Sequence, residues 1–569
     1  MFIGIGSPIP DLGSLPGASR PGNPPAGGGV IPEFIIKVKT DNPGTSNNDQ
    51  FTIPTSGSGY NYTVDWGDGS SDTGQTGNIT HTYSAAGTYE IKIGGDFPRI
   101  YFNSTGDDKK LLEIVNWGTY QWTSMQGAFY DCSNMTITAT DTADFSQVTG
   151  GLGFYHAFRG CSSMTSIPNA GGWFSGQAAN PQAMFYGCTG LTTIDVANWD
   201  MSNVTDMNQM FRACNSITSL DVSNWDVSGV TGLGFKGLFQ DLNSVTALDV
   251  SSWDISNATN LQEMFEDCRE LTTLDVSSWN TTGIGGILEM FRDCSKLTNL
   301  DLSGWDMSSV TNMQSTFFNC TQLTTLGDVS GWDVSSLTNM AFTFYNNDKL
   351  TMNVTSWDTS SVTSMNQTFA GANGTGSITG YNNWDTSAVT SFRDVMYATG
   401  INNFATFPSS WDLRAGSGTF GMYRMFRQAG CVTGSINCSS MQWDSSSTSM
   451  FSWMYGCSGL TDITFGSNND FSGITNMQYM FYGINGLTAV NWDSGLDLSA
   501  LTSATSMITG TGTMGTSNYN TFLIALDAGS GAAGTLNAGA STYSAASAAS
   551  TARASLVTKG WTITDGGAV

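Results

Sequence analysis

One apolar phase returns fourteen times along this chain, and a polypeptide patterned in that way folds by stacking copies of one unit. The phase residues are Phe129, Phe158, Phe185, Phe211, Phe239, Phe265, Phe291, Phe317, Phe344, Phe369, Met396, Phe426, Tyr455 and Phe481, at intervals of 25 to 30 residues. Self-similarity at this period signals a solenoid, which lengthens without starting a new domain.

Within a unit the apolar residues fall at positions 1, 4 and 6, as in Leu191, Ile194 and Val196, in Ile217, Leu220 and Val222, and in Leu297, Leu300 and Leu302. This is the strand pattern of a leucine-rich repeat. A tryptophan follows three positions later, at Trp199, Trp225, Trp253, Trp279, Trp305, Trp332, Trp357 and Trp384, so that stacked coils would carry an indole ladder. The second half of a unit has steps of three and four, as in Val204, Met207, Met210, Phe211 and Cys214, which places its apolar side chains on one helical face. The expectation is therefore one strand plus one short helix per coil. At strand spacings of about 4.8 Å, fourteen coils would stack to roughly 65 to 70 Å. The repeat loosens after Gly371, and residues 516–569 leave it. An Ala-rich stretch from Ser541 to Val557, stopped at Gly560 and followed by Trp561 to Asp565, reads as a helix and a last strand that cap the core.

Ahead of the repeats, residues 33–103 alternate with period two, through Phe34, Ile36 and Val38, then Tyr60, Tyr62 and Val64, then Tyr89, Ile91 and Ile93. That is the pattern of a small antiparallel sandwich. The run Val64-Asp65-Trp66-Gly67-Asp68-Gly69-Ser70, with His81-Thr82-Tyr83 and Gly87-Thr88-Tyr89-Glu90-Ile91 after it, resembles a PKD-type domain. The resemblance implies an immunoglobulin-like fold of a kind common in surface proteins. Residues 104–515, with their M-F-x-x-C and D-V-S-x-W-D motifs, resemble the BspA-like leucine-rich-repeat surface proteins of bacteria and their relatives in phages and protists. The expected fold class is thus a leucine-rich-repeat-like solenoid preceded by an Ig-like β-sandwich.

Charge narrows the partners. Lys and Arg total 20 against 46 for Asp and Glu, a net charge of −26, which makes nucleic acid and anionic membrane poor partners for the whole chain. No stretch approaches the roughly 20 apolar residues of a membrane span, so membrane insertion is not expected. Residues 1–32 are rich in Pro, Gly and Ser and carry neither a basic n-region nor an apolar h-region. We read them as a segment that docks the protein onto a virion or cell-surface structural protein.

No residue set points to catalysis. The two histidines, His81 and His156, have no nucleophile elbow or zinc spacing around them. Seven cysteines, Cys132, Cys161, Cys188, Cys214, Cys268, Cys294 and Cys320, share one repeat phase, and a ladder of thiols runs along an axis without converging on an ion. They read as buried, reduced side chains. In a ladder every neighbouring acid pair has the same surroundings, so the distinct acid and base of a glycosidase are not expected.

Two aspartate ladders remain. Asp200, Asp226, Asp254 and Asp306 follow the tryptophans, where an aspartate closes an Asx turn or caps a helix. Calcium held between successive coils is the alternative for these residues, and no other cofactor is implied. Asp195, Asp221, Asp249, Asp275 and Asp301 lie between two core positions of the strand and so point outward. With Thr193, Ser219, Thr273 and Asn299 they form a polar ladder, either a solvated face or a binding face for a host-surface glycan or protein.

These features point to a non-enzymatic adhesion protein displayed at a surface. The first reading is a phage virion appendage, a tail or head fibre or decoration, that projects the solenoid for host recognition. A bacterial cell-surface adhesin is the alternative, and a polysaccharide depolymerase on the same scaffold is the third. A repeat surface of this kind is also compatible with homo-oligomers.

Overall fold

The computed structural model describes residues 33–400, 407–416, 421–529 and 533–569, and the docking segment read at 1–32 lies outside them. The N-terminal strands are β1 (Phe34–Lys39), β2 (Gln50–Ile53), β3 (Asn61–Asp65), β4 (Ser71–Gln75), β5 (Ile79–Thr82) and β6 (Thr88–Asp96). β2 and β5 make one antiparallel pair, and the other strands make the facing sheet. Alternation sets the inner face: Phe34, Ile36, Val38, Tyr62, Val64, Ile91 and Ile93 are buried. Trp66 fills the interior, stacked 4.7 Å from His81.

The sandwich does not end before the solenoid starts. β7 (Leu111–Asn116) pairs antiparallel with β1 and parallel with β8 (Thr136–Ile137), so one sheet runs β4-β3-β6-β1-β7-β8 from the sandwich into the first coils. Shared backbone hydrogen bonds make the junction a continuous sheet in place of a linker.

The coils then stack in parallel with few formal strand residues, as where Ala247–Leu248 pairs with Thr273–Leu274. Two internal ladders hold them. Each indole of the regular region donates to a carbonyl of the preceding coil, for example Trp225 Nε1 to Val196 O at 3.0 Å and Trp279 Nε1 to Val250 O at 3.0 Å. The indoles also stack, with centroids 6.1 Å apart for Trp199 and Trp225 and 5.9 Å for Trp357 and Trp384. The cysteines make the second ladder: Cys214 Sγ donates to Phe185 O at 3.1 Å and Cys294 Sγ to Phe265 O at 3.1 Å. Asn347 takes a cysteine's place in one coil, and its Nδ2 donates to Phe317 O at 2.7 Å. All ten cysteines are free and buried.

The short helix read from the spacing of Met207, Met210, Phe211 and Cys214 does not form; these residues lie in consecutive turns. The backbone alternates between two kinds of bond. Gln209 N donates to Lys236 O and Phe211 N to Leu238 O of the next coil, whereas Met210 N and Arg212 N bond back to Met207 O and Gln209 O of their own. A left-handed residue two positions before and another two positions after the phase residue enforce this. Gln209 (φ 57) and Ala213 (φ 59) flank Phe211, and Glu263 (φ 60) and Asp267 (φ 59) flank Phe265. Two such residues per turn break a helix but leave its apolar residues facing inward.

The same ladder corrects one phase residue. Phe426 N bonds Trp453 O and Met454 N bonds Met480 O, so the position between Phe426 and Phe481 is Met454. Met454 is fully buried and Tyr455 is only half-buried. One position is added at each end, because Phe102 N bonds Ala128 O and Phe481 N bonds Met507 O, which makes Phe102 and Ile508 the outermost of sixteen rungs.

At the C-terminal end the turns give way to helices. The parallel strands Ser503–Ile508, Thr535–Ala538 and Thr562–Thr564 are joined by α1 (Thr516–Gly529) and α2 (Ala548–Thr558). The cap therefore contains the expected helix and strand and a further helix, α1. Ser547 opens α2 with a capping box.

Candidate functional site

The strand-face ladder lies where alternation put it. Asp195, Asp221, Asp249, Asp275 and Asp301 are exposed, as are Thr193, Ser219, Thr273 and Asn299. The structure also supplies a folding reason for these carboxylates. Asp221 Oδ1 accepts from Ser223 N at 3.2 Å and Oγ at 2.7 Å, and Asp249, Asp275 and Asp301 do the same with Ser251, Ser277 and Ser303. Asp195 accepts only from Ala197 N, at 3.3 Å. The serine hydroxyls hold Asp221 and Asp275 below the usual carboxylate range. Repulsion along the ladder is thus offset by one Asx turn per coil.

The aspartates after the tryptophans are built alike. Asp200, Asp226 and Asp306 each accept from the amide and hydroxyl of the serine two residues on, and Asp254 accepts from Ser256 N at 3.0 Å. Those bonds hold Asp200, Asp254 and Asp306 low. Calcium takes six to eight oxygen ligands. Among the described residues, Glu263, Glu266 and Glu289 bring three carboxylates' ligand atoms within 4.8 Å of one another, and the corner aspartates form no such cluster.

Those three glutamates belong to a face that the sequence reading passed over. The residue after each phase residue points outward, and in successive coils this row reads Tyr130, Arg159, Tyr186, Arg212, Gln240, Glu266, Arg292, Phe318 and Tyr345, continuing through Tyr397, Arg427, Tyr455 and Tyr482. Neighbours in the row stack: Phe318 on Tyr345 at 4.6 Å and Tyr455 on Tyr482 at 4.8 Å. Apart from the buried Gln240, Glu266 and Ala370, the named rungs of this stretch are half-buried. The signal lies in the first variable position of M-F-x-x-C.

At the centre of the row stands Glu266, the middle member of that cluster. It is buried, Gln240 Nε2 donates to its Oε2 at 2.7 Å, and Arg292 NH1 lies 3.9 Å from its Oε1. Burial, with Glu289 and Glu263 close by, pushes its pKa up to about 7. Glu289 is paired with Arg292 at 2.9 Å, and Glu263 with Lys236 at 3.5 Å and Arg212 at 3.9 Å.

A stacked-coil solenoid continuous with a PKD-type sandwich and exposing long faces fits a surface-binding repeat protein. Comparison with known families agrees. Residues 37–95 match the PKD domain. The chain belongs to the family described as Mycoplasma protein of unknown function, DUF285, whose model matches seven overlapping stretches from 153–243 to 408–520 and so covers more than half of it. No curated protein matches the chain.

Proposed function

We propose that this protein is a non-enzymatic adhesin displayed on a surface, of the BspA-like type, and that it serves as a phage virion appendage whose solenoid recognises the host. The observation that carries this reading is the row along the solenoid in which half-buried tyrosine and arginine side chains predominate, interrupted at Gln240, Glu266 and Ala370. Packing inside the coils does not require that row, and its composition matches that of binding surfaces, where tyrosine and arginine are enriched. The continuous sheet at the junction would hold the row rigidly away from the attachment point. Attachment is assigned to residues 1–32 on composition. Among the described residues no helix is long and apolar enough to cross a membrane.

Gold-labelled antibody against the full chain tests the reading. Label on virions, with binding of the purified protein to host cells, is the expected result. Label confined to bacterial surfaces would replace the virion with a cell-surface adhesin, and absence of binding to any cell would overturn adhesion itself.

One observation favours hydrolysis as a second reading: Glu266 holds its proton near neutrality, within 4.8 Å of two other glutamates. Retaining glycosidases place their carboxyl groups about 5 Å apart. Release of reducing sugar from host polysaccharide, lost in Glu266→Gln, would establish that activity; its absence from the native protein would exclude it for the substrate used.

A further inference from the structure

The row contains one arrangement twice. Arg159 lies between Tyr130 and Tyr186 of the coils on either side, its guanidinium carbon 5.2 Å and 4.3 Å from the ring centroids. Arg427 lies between Tyr397 and Tyr455 in the same manner, at 5.5 Å and 4.5 Å. The row's other arginines, Arg212 and Arg292, have carboxylate partners. Among the described residues, neither Arg159 nor Arg427 has a carboxylate within 4.0 Å, in a chain whose acids outnumber its bases 46 to 20. Arg427 Nε is buried without a hydrogen-bond partner. Arg159 NH1 is 2.9 Å from His156 Nε2, and burial and Arg159 itself push His156 down to about 4, so that this partner is neutral.

Each site thus presents a half-buried cation with unused N–H donors, flanked by tyrosines whose hydroxyls make no hydrogen bond to the described residues. A guanidinium fork held between rings is pre-organised for a carboxylate or phosphate. Ten coil steps separate Phe158 from Phe426, and at about 4.8 Å per step the two sites stand roughly 50 Å apart on one face. Between them Arg212 and Arg292 are occupied by Glu263 and Glu289, so within the described row the cations without a carboxylate partner are these two, far apart.

We infer that the two Tyr-Arg-Tyr sites bind isolated anionic substituents on an otherwise neutral glycan chain, and that a chain spanning both is held bivalently. The inference rests on the surface-binding reading and names the ligand class of that face. The anion could be a sugar carboxylate or a phosphodiester; the chemistry the arginines recognise is common to both.

The test is binding of the full-length protein to partially methyl-esterified polygalacturonate and to its fully esterified form, with a polyol-phosphate polymer as the phosphate arm. The partially esterified chain should bind about a hundredfold more tightly than the neutral one, each of the two charge-assisted contacts being worth about tenfold. Arg159→Gln and Arg427→Gln should each lose about tenfold, and the double variant should fall to the level of the neutral chain by loss of bivalency. Arg269→Gln, an exposed arginine paired with Asp267, should bind like the native protein. Should either glutamine variant fail to fold, Arg→Lys at the same site keeps the charge, loses the fork and should show an intermediate loss.

Preference for the polyol-phosphate over the carboxylated chain, with the same dependence on both arginines, would assign phosphate as the anion. Equal binding of the charged and neutral chains, or variants that bind like the native protein, would overturn the inference and leave adhesion intact. Tighter capture of a glutamate-rich peptide would overturn it in favour of a protein ligand. Failure to bind any cell would instead overturn the reading on which it rests.

Discussion

Glu266 offers a pH-dependent test of how the turn face is packed. In the unfolded chain a glutamate titrates near 4.5, whereas in the fold Glu266 is raised to about 7. A raised acid binds its proton more tightly in the native state, so its contribution favours folding at low pH and is lost as pH rises through 7. The gap of about 2.5 units makes the ionised group cost about 3 kcal/mol at pH 8.5, and about 1 kcal/mol at pH 5.5, where the unfolded form is already ionised. Glu266→Gln removes the charge and keeps an acceptor for Gln240 Nε2. The variant should therefore be more stable than the native protein at pH 8.5, with an advantage about 2 kcal/mol smaller at pH 5.5. Urea unfolding at the two pH values measures this, and hydrogen exchange of the coils from Val250 to Leu302 locates it. An advantage independent of pH, or a variant less stable at pH 8.5, would refute the account of the cluster. Asp200, Asp221, Asp254, Asp275 and Asp306 are held low by hydrogen bonds from their serine partners and lose that contribution only below about pH 4, outside this window.

Three further outcomes follow from the ladders. Trp279→Ala should cost about 3 to 5 kcal/mol, because it opens a cavity in a core where the indole is 2% exposed and removes one of the two donors to Val250 O, leaving only the Trp253 amide; equilibrium unfolding measures it, and a loss below about 1 kcal/mol would mean that the stack re-closes around the gap. The ten thiols should stay unreactive toward an alkylating reagent until the protein unfolds, since burial pushes such groups as Cys214 and Cys294 well above the ordinary thiol range, and mass spectrometry of native protein should find neither adducts nor disulfides. At the strand face, Asp221→Asn, Asp249→Asn and Asp275→Asn together should leave stability within about 1 kcal/mol because asparagine also closes an Asx turn, whereas the three lysine replacements should lower it through loss of the turns; host attachment reduced by both sets to the same degree would return binding to this face.

Much of the architecture is written in residue identity and spacing. The positions of Leu271, Leu274 and Val276, and of Trp279 and Phe291, require one stacked core, since no other packing buries so many equivalent side chains at a single period. The alternation of Phe34, Ile36 and Val38 likewise makes β1 a half-buried strand without reference to its neighbours. Tertiary structure decided three things. The turn segments form inter-coil ladders in place of helices, because apolar spacing is the same for both and only the left-handed residues, such as Asp267 and Asp293, separate them; those φ values depend on bonds to the next coil. Met454, not Tyr455, continues the inner row, because irregular coil lengths after Gly371 leave the choice between adjacent apolar residues to the backbone register. The outer row was illegible as a site for a related reason. Tyr130, Arg159 and Tyr186 are 29 and 27 residues apart in sequence, and stacking of the coils alone makes them neighbours.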